Sequence, residues 1–401
     1  MTTSPAQTSY DVVIVGGAIY GSSIAWWLTN QADFDGSVLV VERDPTYEFA
    51  STSHTNSCMR QQFTAAINIQ ISQFAADFVK NMQSYYGGDE RVPNLPVQSY
   101  GYMYLAEDEA FAGNLSEAQK IQEALGAGTQ HMTADQIKAA YPFYNMDDIV
   151  AGNHNLIDEG YFDGGTVFDW WKKSARERGV AYISNEVTAM TLNEDGTSVV
   201  SVTLGSGEVI GCGTAVNASG PRAKLTAAMV GIDLPVEPRK RYTFIFDAAS
   251  PLDRDLPLTI DPSGVHMRSD GLYYLAGCPP DDDGPVAFDD FEADHSIWEE
   301  KVWPVLAHRV PAFEAIKLTN MWVGHYAYNA FDQNAIVGKH TKVANFIFAN
   351  GFSGHGLQQS PAIGRGVAEL IATGDYQTLD LSPFGYDRIE RGEKFVEKAV
   401  I

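Results

Sequence analysis

The chain of 401 residues is poor in cysteine and in positive charge. Its three cysteines, Cys58, Cys212 and Cys278, are widely spaced and form no CxxC pair. We therefore expect no metal site and a reducing, cytoplasmic setting. The 27 basic residues against 51 acidic ones give a formal net charge of −24. Such a charge argues against nucleic acid or an anionic membrane surface as a partner, and a small anionic substrate would need a local cationic pocket.

Long hydrophobic runs are also absent from the sequence. No stretch reaches the roughly 18 apolar residues of a membrane span, and residues 1–10 lack the basic start and apolar run of a signal peptide. We therefore expect neither a membrane span nor export. The composition, with 45% hydrophobic and 19% charged residues, is that of a folded protein. The length is sufficient for two domains.

The first 42 residues contain the pattern of a βαβ unit. Residues 11–15 form a β-branched run, residues 22–28 an apolar helical segment, and residues 37–42 a second buried strand that ends on Glu42. The turn between the first strand and the helix follows the GxGxxG pattern, with alanine in place of its second glycine. It comprises Gly16, Gly17, Ala18, Ile19, Tyr20 and Gly21.

This turn predicts an adenine dinucleotide site. The N–H groups of a helix start bind pyrophosphate, and an acid at the end of the second strand binds ribose hydroxyls and rejects a 2′-phosphate. No second GxGxxG unit occurs in the sequence. This favours FAD, reduced directly by a substrate, over a flavin reductase fed by a nicotinamide cofactor. An NAD-dependent dehydrogenase stays open as an alternative.

The remaining pattern predicts an α/β fold with two domains. A Rossmann-type FAD-binding domain with a parallel sheet is expected from residues 9–90, 151–225 and 335–401. A substrate domain with a large antiparallel sheet is expected from residues 91–150 and 226–334. The last helix is predicted to begin with Ser360 as its N-cap and Pro361 at its first position. The acidic residues 281–283 are interpreted as part of a solvated loop.

Five segments in this order resemble the D-amino-acid-oxidase-like flavoproteins, which include sarcosine oxidase and glycine oxidase. They are residues 11–28, 40–44, 50–56, 214–220 and 348–371. Within that superfamily, residues 234–242, 301–314 and 376–384 resemble mitochondrial FAD-dependent oxidoreductase-domain proteins linked to the assembly of respiratory complex I.

The resemblance implies where FAD would be held. Beyond the turn, the implied residues are Glu42, Arg43, Ser51, Thr52, Ser53, Val187, Ala218, Ser219, Gly220, Gly351, Gly354, His355, Gly356, Leu357 and Gln358. Non-covalent FAD is expected because Gly324 stands where sarcosine oxidase attaches its flavin through a cysteine. His54 resembles the histidine that carries covalent flavin in dimethylglycine dehydrogenases, and its alternative role is that of a polar pocket residue.

The resemblance also implies substrate-binding residues. Arg60 falls where sarcosine oxidase has an arginine, and a guanidinium suits a carboxylate. The alternatives are that Arg60 is structural, or that Arg268 or residues 239–241 hold the carboxylate. Tyr326 and Gly354 stand where glycine oxidase has arginines, which argues against glycine as the substrate. Tyr242, His355 and Gln358 complete the candidate substrate site.

These features together predict oxidation of the C–N bond of a small amino-carboxylate. The substrate would be an N-substituted glycine or another secondary amine, such as sarcosine or iminodiacetate. Hydride transfer to flavin N5 would give an imine that water hydrolyses. Electrons would pass to oxygen or to an electron carrier, so oxidase and dehydrogenase both stay open. A flavin-binding assembly protein with little amine turnover is the alternative of another class.

Overall fold

The computed structural model describes residues 2–397. Its strands are β1 (Ser9–Val15), β2 (Val38–Glu42), β3 (Cys58–Met59), β4 (Tyr102–Ala106), β5 (Gln130–Thr133), β6 (Ala151–Asn155), β7 (Gly160–Tyr161), β8 (Ala181–Ser184), β9 (Val187–Leu192), β10 (Val199–Leu204), β11 (Val209–Asn217), β12 (Val236–Ala248), β13 (Leu258–Ile260), β14 (His266–Asp270), β15 (Tyr273–Cys278), β16 (Ile316–Asn329), β17 (Ile336–Lys339) and β18 (Phe346–Asn350).

Apart from short 3₁₀ and π segments, the helices of the described residues are α-helices. They are α1 (Ile19–Leu28), α2 (Ala66–Lys80), α3 (Met82–Tyr85), α4 (Glu109–Ala124), α5 (Ala134–Ala140), α6 (Gly164–Glu177), α7 (Ala223–Ala228), α8 (Trp303–Arg309), α9 (Gly356–Thr373) and α10 (Asp387–Arg391). None of the helices within residues 2–397 combines the length and apolar character needed to cross a bilayer.

The first sheet has eight strands, six of them in the order β17-β18-β11-β1-β2-β8. Strands β18, β11, β1, β2 and β8 run parallel, because the β-branched runs are apolar on both faces. Val12 and Ile14 face a core built with α1, α2, α6 and α9. Val13 and Val15 face a second core built with β9, β10 and α7.

The second sheet has eight strands in the order β16-β12-β15-β14-β13-β4-β6-β5. All neighbouring strands are antiparallel except β4 and β13. One face packs on α5 and α8 through a core that contains Phe244, Phe246 and Phe313. The two sheets, one largely parallel and one largely antiparallel, confirm the predicted fold class.

The strand Ala151–Asn155 pairs with β4 and β5 in the second sheet. The predicted boundary at residue 150 falls just before it, so strand pairing moves this short segment from the first sheet to the second. The predicted domain bounds otherwise stay a prediction. Residues 398–401, at the end of the last predicted segment, lie outside the described residues.

The prediction that a helix starts at Ser360 and Pro361 is wrong. Helix α9 begins at Gly356, and Pro361 lies inside it rather than at its first position. A proline in a helix leaves the carbonyl four residues earlier without its N–H donor. Here the Ser360 hydroxyl donates to the Leu357 carbonyl at 2.7 Å. That local bond satisfies the carbonyl and lets the helix continue through the proline.

Candidate active site and cofactor cleft

A cavity of about 620 Å³ lies where the two sheets meet. Val15, Val41 and Ala349 line it from the carboxyl ends of the parallel strands, and Thr243 and Leu258 line it from the second sheet. The crevice beyond the carboxyl ends of parallel strands is where such folds bind nucleotides. The start of α9 closes one wall of the cavity.

The glycine turn between β1 and α1 is shaped for a close approach of the backbone. Gly16 has φ +97°, and a Cβ there would lie 2.5 Å from the Ala218 carbonyl oxygen. A Cβ at Gly21 would lie 1.9 Å from the Gly16 carbonyl oxygen. Ala18 has φ −69°, an ordinary value for any residue. The turn therefore tolerates alanine at this position and excludes it at the other two.

The Glu42 carboxylate lies beside this turn and is fixed by the backbone. It accepts hydrogen bonds from the Gly17 N–H at 2.7 Å and the Asp44 N–H at 2.8 Å. Burial raises the pKa of Glu42, and the two N–H donors act in the opposite direction. The carboxylate is thereby held at the cavity wall, where ribose hydroxyls of a dinucleotide would lie.

Most of the predicted cofactor residues meet at the cavity. Those that line it are Gly16, Ala18, Ile19, Tyr20, Glu42, Arg43, Ser51, Thr52, Val187, Ala218, Ser219, Gly220, Gly354, His355, Gly356, Leu357 and Gln358. Gly17, Gly21, Ser53 and Gly351 do not line it. They lie just behind the wall, where Gly17 binds Glu42 and the Ser53 hydroxyl donates to the Tyr47 carbonyl.

The residues present fit FAD. Glycine at positions 16 and 21 lets the turn close tightly beside the cavity, and the cavity runs from Glu42 and Val187 to the underside of the second sheet. The Tyr20 hydroxyl donates to the Gly356 carbonyl at 2.7 Å, and its ring stacks on Phe352 at 3.8 Å. These contacts join the start of α1 to the start of α9, so both helix starts face the same cavity.

Arg60 lines the cavity as a buried cation with no protein acceptor. Its side chain is 3% exposed, and its guanidinium forms no hydrogen bond within residues 2–397. It packs over the Phe63 ring at 4.4 Å, while the Gln358 side chain fixes its backbone N–H at 2.8 Å. Burial lowers the pKa of Arg60, and Tyr102, Glu397 and Glu159 oppose that shift. An unpaired buried cation costs free energy unless an anion completes it.

His355 stands at the same end of the cavity. Burial, with a smaller contribution from Arg60, lowers the pKa of His355 to about 3. Its Nε2 is buried and has no hydrogen-bond partner among the described residues. The imidazole is therefore neutral at physiological pH, and it does not compete with Arg60 for an anion.

Arg268 and two members of the basic cluster do not lie in the cavity wall. Arg268 donates to Asp270 at 2.7 Å and to the Asn56 carbonyl at 3.1 Å. Arg239 pairs with Glu237 at 3.2 Å, and Lys240 pairs with Asp290 at 2.6 Å. These arginine and lysine side chains are already neutralised by carboxylates, so the prediction that they are rival anchors has no structural support.

Arg241 also lines the cavity, but its guanidinium is already paired with a carboxylate. Asp283 accepts two hydrogen bonds from it, at 2.7 and 3.0 Å. Lys301 likewise pairs with Asp281 at 2.7 Å. The interpretation of residues 281–283 as a solvated loop agrees with Asp281, which is 89% exposed, whereas Asp283 is 30% exposed and is held against β12 by Arg241.

Gly324 and Gly354 leave room for the side chains of neighbouring residues in the cavity wall. A Cβ at Gly324 would lie 2.4 Å from His54 Cβ, and a Cβ at Gly354 would lie 2.4 Å from the Tyr326 ring. His54 lines the cavity, and its Nδ1 lies 3.1 Å from the Ala50 carbonyl. Tyr326 stacks on the Arg241 guanidinium at 4.5 Å, and Tyr242 lines the cavity on the neighbouring strand.

His266 and Asn56 also line the cavity and were missed by the sequence analysis. Asn56 Nδ2 lies 2.6 Å from His266 Nε2. Burial lowers the pKa of His266 to about 4, so the ring is neutral. The sequence could have indicated His266, because alternation along a strand puts it on the same side of β14 as Arg268, which was predicted as a candidate anchor.

The fold and the cleft are typical of a dinucleotide-binding protein in which an antiparallel sheet covers one end of the cleft. A family model described as FAD dependent oxidoreductase (DAO) matches residues 11–370. The chain therefore belongs to the DAO family of FAD-dependent oxidoreductases, which confirms the resemblance and decides for FAD over NAD. It is an oxidoreductase.

Individual proteins agree with this assignment. The chain is 38% identical to FAD-dependent oxidoreductase domain-containing protein 1 of Xenopus laevis, over 98% of this chain and 85% of that protein. It is 24% identical to sarcosine oxidase subunit beta of Rhizobium meliloti, over 97% and 90%. The solved L-proline dehydrogenase of P. horikoshii is similar with a TM-score of 0.83 and 26% identity, over 96% and 99%.

Proposed function

We propose that this protein uses non-covalently bound FAD to oxidise the C–N bond of a small secondary amino acid. The observation that carries the proposal is Arg60, a buried guanidinium that lines the cavity and has no acceptor within residues 2–397. A substrate carboxylate would complete it with two parallel hydrogen bonds. The neutral rings of His355 and His266 leave Arg60 as the local anchor for an anion.

FAD supplies the oxidising power by accepting a hydride from the substrate. The protein binds the carboxylate at Arg60 and holds the amine and its neighbouring C–H in one orientation. Loss of hydride from carbon leaves a C=N bond, and the nitrogen carries the positive charge. Loss of a proton gives the imine, and added water gives a carbonyl compound and an amine. Only the neutral amine has a lone pair to form the C=N bond, so the ammonium form of the substrate must first give a proton to water or to a neighbouring group.

The names of the relatives support this substrate class. Proline and sarcosine, the compounds in two of their names, are both secondary amines with a carboxylate on the adjacent carbon. A solved iminodiacetate oxidase from Chelativorans sp. BNC1 shares the fold, with a TM-score of 0.75. The electron acceptor, oxygen or a carrier, and the cytoplasmic location stay predictions.

Anaerobic mixing tests the proposal. Sarcosine, N-methylalanine, proline and iminodiacetate are mixed with the FAD-loaded protein while the visible flavin absorbance is followed, and dimethylamine serves as the control without a carboxylate. We expect bleaching by at least one secondary amino acid and none by dimethylamine. Rapid recovery of the colour in air would indicate an oxidase. Absorbance that persists with every amine would instead support the assembly-protein alternative.

A further inference from the structure

The end of the described chain returns to the substrate side of the cavity. Glu397 is 1% exposed and lies at the start of α2, a helix of 15 residues. The N-cap residue of α2 is Ala65, which has no side chain that could accept a hydrogen bond from the first turn. The N–H groups of Thr64 and Ala65, which lead into the helix, are bound by a group from elsewhere in the chain.

Glu397 provides that group from more than 300 positions away in sequence. Its Oε1 accepts from the Thr64 N–H at 2.8 Å and the Thr64 hydroxyl at 2.6 Å. Its Oε2 accepts from the Ala65 N–H at 3.1 Å and Asn68 Nδ2 at 3.0 Å. A carboxylate at a helix start also interacts favourably with the helix dipole.

The same four contacts reach the surroundings of Arg60 by two routes. Thr64 directly follows Phe63, whose ring lies 4.4 Å below the Arg60 guanidinium. Asn68 accepts from Gln359 Nε2 at 3.0 Å. Gln359 directly follows Gln358, which binds the backbone N–H of Arg60. Through Thr64, Glu397 thus fixes the Phe63 ring below the Arg60 guanidinium. Through Asn68 it also fixes Gln359, the neighbour of the residue that binds the Arg60 backbone N–H.

The segment that carries Glu397 is itself held firmly. The Phe395 N–H donates to Asp332 at 3.0 Å, and its carbonyl accepts from Asn334 at 3.1 Å. Asp332 forms a buried ion pair with Arg388 at 2.8 Å. The position of Glu397 is therefore set by packing elsewhere in the fold rather than by the helix that it caps.

We infer that Glu397 is a positioning residue for Arg60, and that the C-terminal segment 393–397 sets the affinity of the cavity for carboxylates. The inference rests on the proposed function, since it takes Arg60 as the carboxylate anchor. Removing the negative charge loosens the start of α2, so Phe63 and Arg60 lose their fixed geometry. Flavin binding at the distant glycine turn is unaffected.

The test uses the FAD-loaded protein and methoxyacetate, an isostere of sarcosine that has an ether in place of the amine and cannot be oxidised in the same way. Its amide, methoxyacetamide, has the same shape without the charge. Binding of each is followed by the change in the flavin spectrum. Glu397→Gln is the variant, Glu397→Asp the conservative one, and Glu393→Gln, on an exposed residue of the same segment, the matched control.

We expect Glu397→Gln to weaken methoxyacetate binding about tenfold while FAD content and binding of the amide stay as in the wild type. Glu397→Asp is expected to recover part of the loss, and Glu393→Gln to show none. If Glu397→Gln does not fold, Thr64→Ala removes one of the four donors and is expected to weaken carboxylate binding two- to threefold.

The outcomes separate the two claims. Wild-type protein that binds methoxyacetate through Arg60, with Glu397→Gln and Thr64→Ala binding it equally well, overturns the role of Glu397 and leaves the proposed function standing. Wild-type protein that binds methoxyacetate no better than its amide overturns both. An equal loss of carboxylate, amide and FAD binding would show that Glu397 has a general structural role, which also contradicts the inference.

Discussion

At the scale of single residues, two buried charged groups distinguish the cavity from an ordinary core. Arg60 has no acceptor in the described part of the chain, whereas Glu159 behind it accepts from the Gln61 N–H, the Gln62 side chain and the Asn155 side chain. Burial raises the pKa of Glu159 to about 7 in spite of these donors. Each group costs folding free energy, which is expected where function rather than stability selects the residue.

Replacing the cation tests this cost directly. We expect Arg60→Met to raise the free energy of unfolding by about 1 to 3 kcal/mol, because an unpaired buried charge is replaced by an apolar chain that packs on the same rings. The same variant should lose affinity for methoxyacetate. Chemical denaturation and the flavin titration measure the two effects. Arg365→Met, which breaks the ion pair with Glu369, is the matched control and should destabilise.

Glu159 predicts a pH dependence of stability. The folded-state pKa of about 7 lies above the ordinary 4.5, so the native state binds more protons than the unfolded chain between these values. The unfolding free energy therefore falls as pH rises through this window, by about 3 kcal/mol in total, and levels off above it.

The variant Glu159→Gln removes this contribution. The difference in unfolding free energy between wild type and variant should decline from about pH 5 to about pH 8. The exposed Glu194→Gln is the control, and its difference from the wild type should stay constant. A constant difference for Glu159→Gln as well would show that Glu159 does not titrate in this range.

At the scale of elements, the glycine turn gives a test with opposite outcomes at neighbouring positions. Gly21→Ala places a Cβ 1.9 Å from the Gly16 carbonyl oxygen, so the turn cannot keep its shape. We expect its FAD content to fall more than tenfold. Ala18→Gly restores the usual motif and should keep FAD content within about twofold of the wild type. Absorbance of the purified proteins, with circular dichroism as the check on folding, measures both.

The elements that could be predicted from the sequence are those whose apolar pattern is unbroken. The βαβ unit was predictable because its apolar runs are short, uninterrupted and bounded by glycines. The 14-residue strand Ile316–Asn329 was not predicted. Its apolar positions switch phase between Leu318 and Met321, because a register shift opposite Ile245 leaves Thr319 as an extra residue. A bulge of this kind depends on the partner strand and is invisible in local sequence.

The same limit applies to the site. The resemblance pointed to Arg60 and to the start of α9, and the structure brings them together in the cavity. The pairing of Lys240 and Arg241 with carboxylates more than 40 positions away, and the contacts made by Glu397, depend on tertiary structure. No spacing rule in the sequence reports such contacts.

At the scale of the whole molecule, one segment joins the second sheet to the cavity. Residues 281–294 are held by the Arg241–Asp283 and Lys240–Asp290 pairs, and their Phe288 and Phe291 line the cavity. Phe291 stacks on His325 at 4.0 Å. Because Asp283 and Asp290 are 30% and 38% exposed, salt should weaken these pairs.

We therefore expect FAD to dissociate several times faster from the double variant Asp283→Asn/Asp290→Asn than from the wild type. High salt should accelerate dissociation from the wild type and have little further effect on the variant. The exposed Asp282→Asn is the control. Dissociation rates are measured by fluorescence of the released flavin. Equal rates for the double variant and the wild type would show that the segment does not retain the cofactor.

The net charge of −24 makes the position of the buried Arg60 guanidinium decisive for an anionic substrate. A crystal structure of the FAD-loaded protein with methoxyacetate tests the account most directly. We predict that the dinucleotide lies along the Gly16 turn and Glu42, and that the carboxylate binds the Arg60 guanidinium. A carboxylate bound at Arg241 or Arg268, with Arg60 still unpaired, would contradict it.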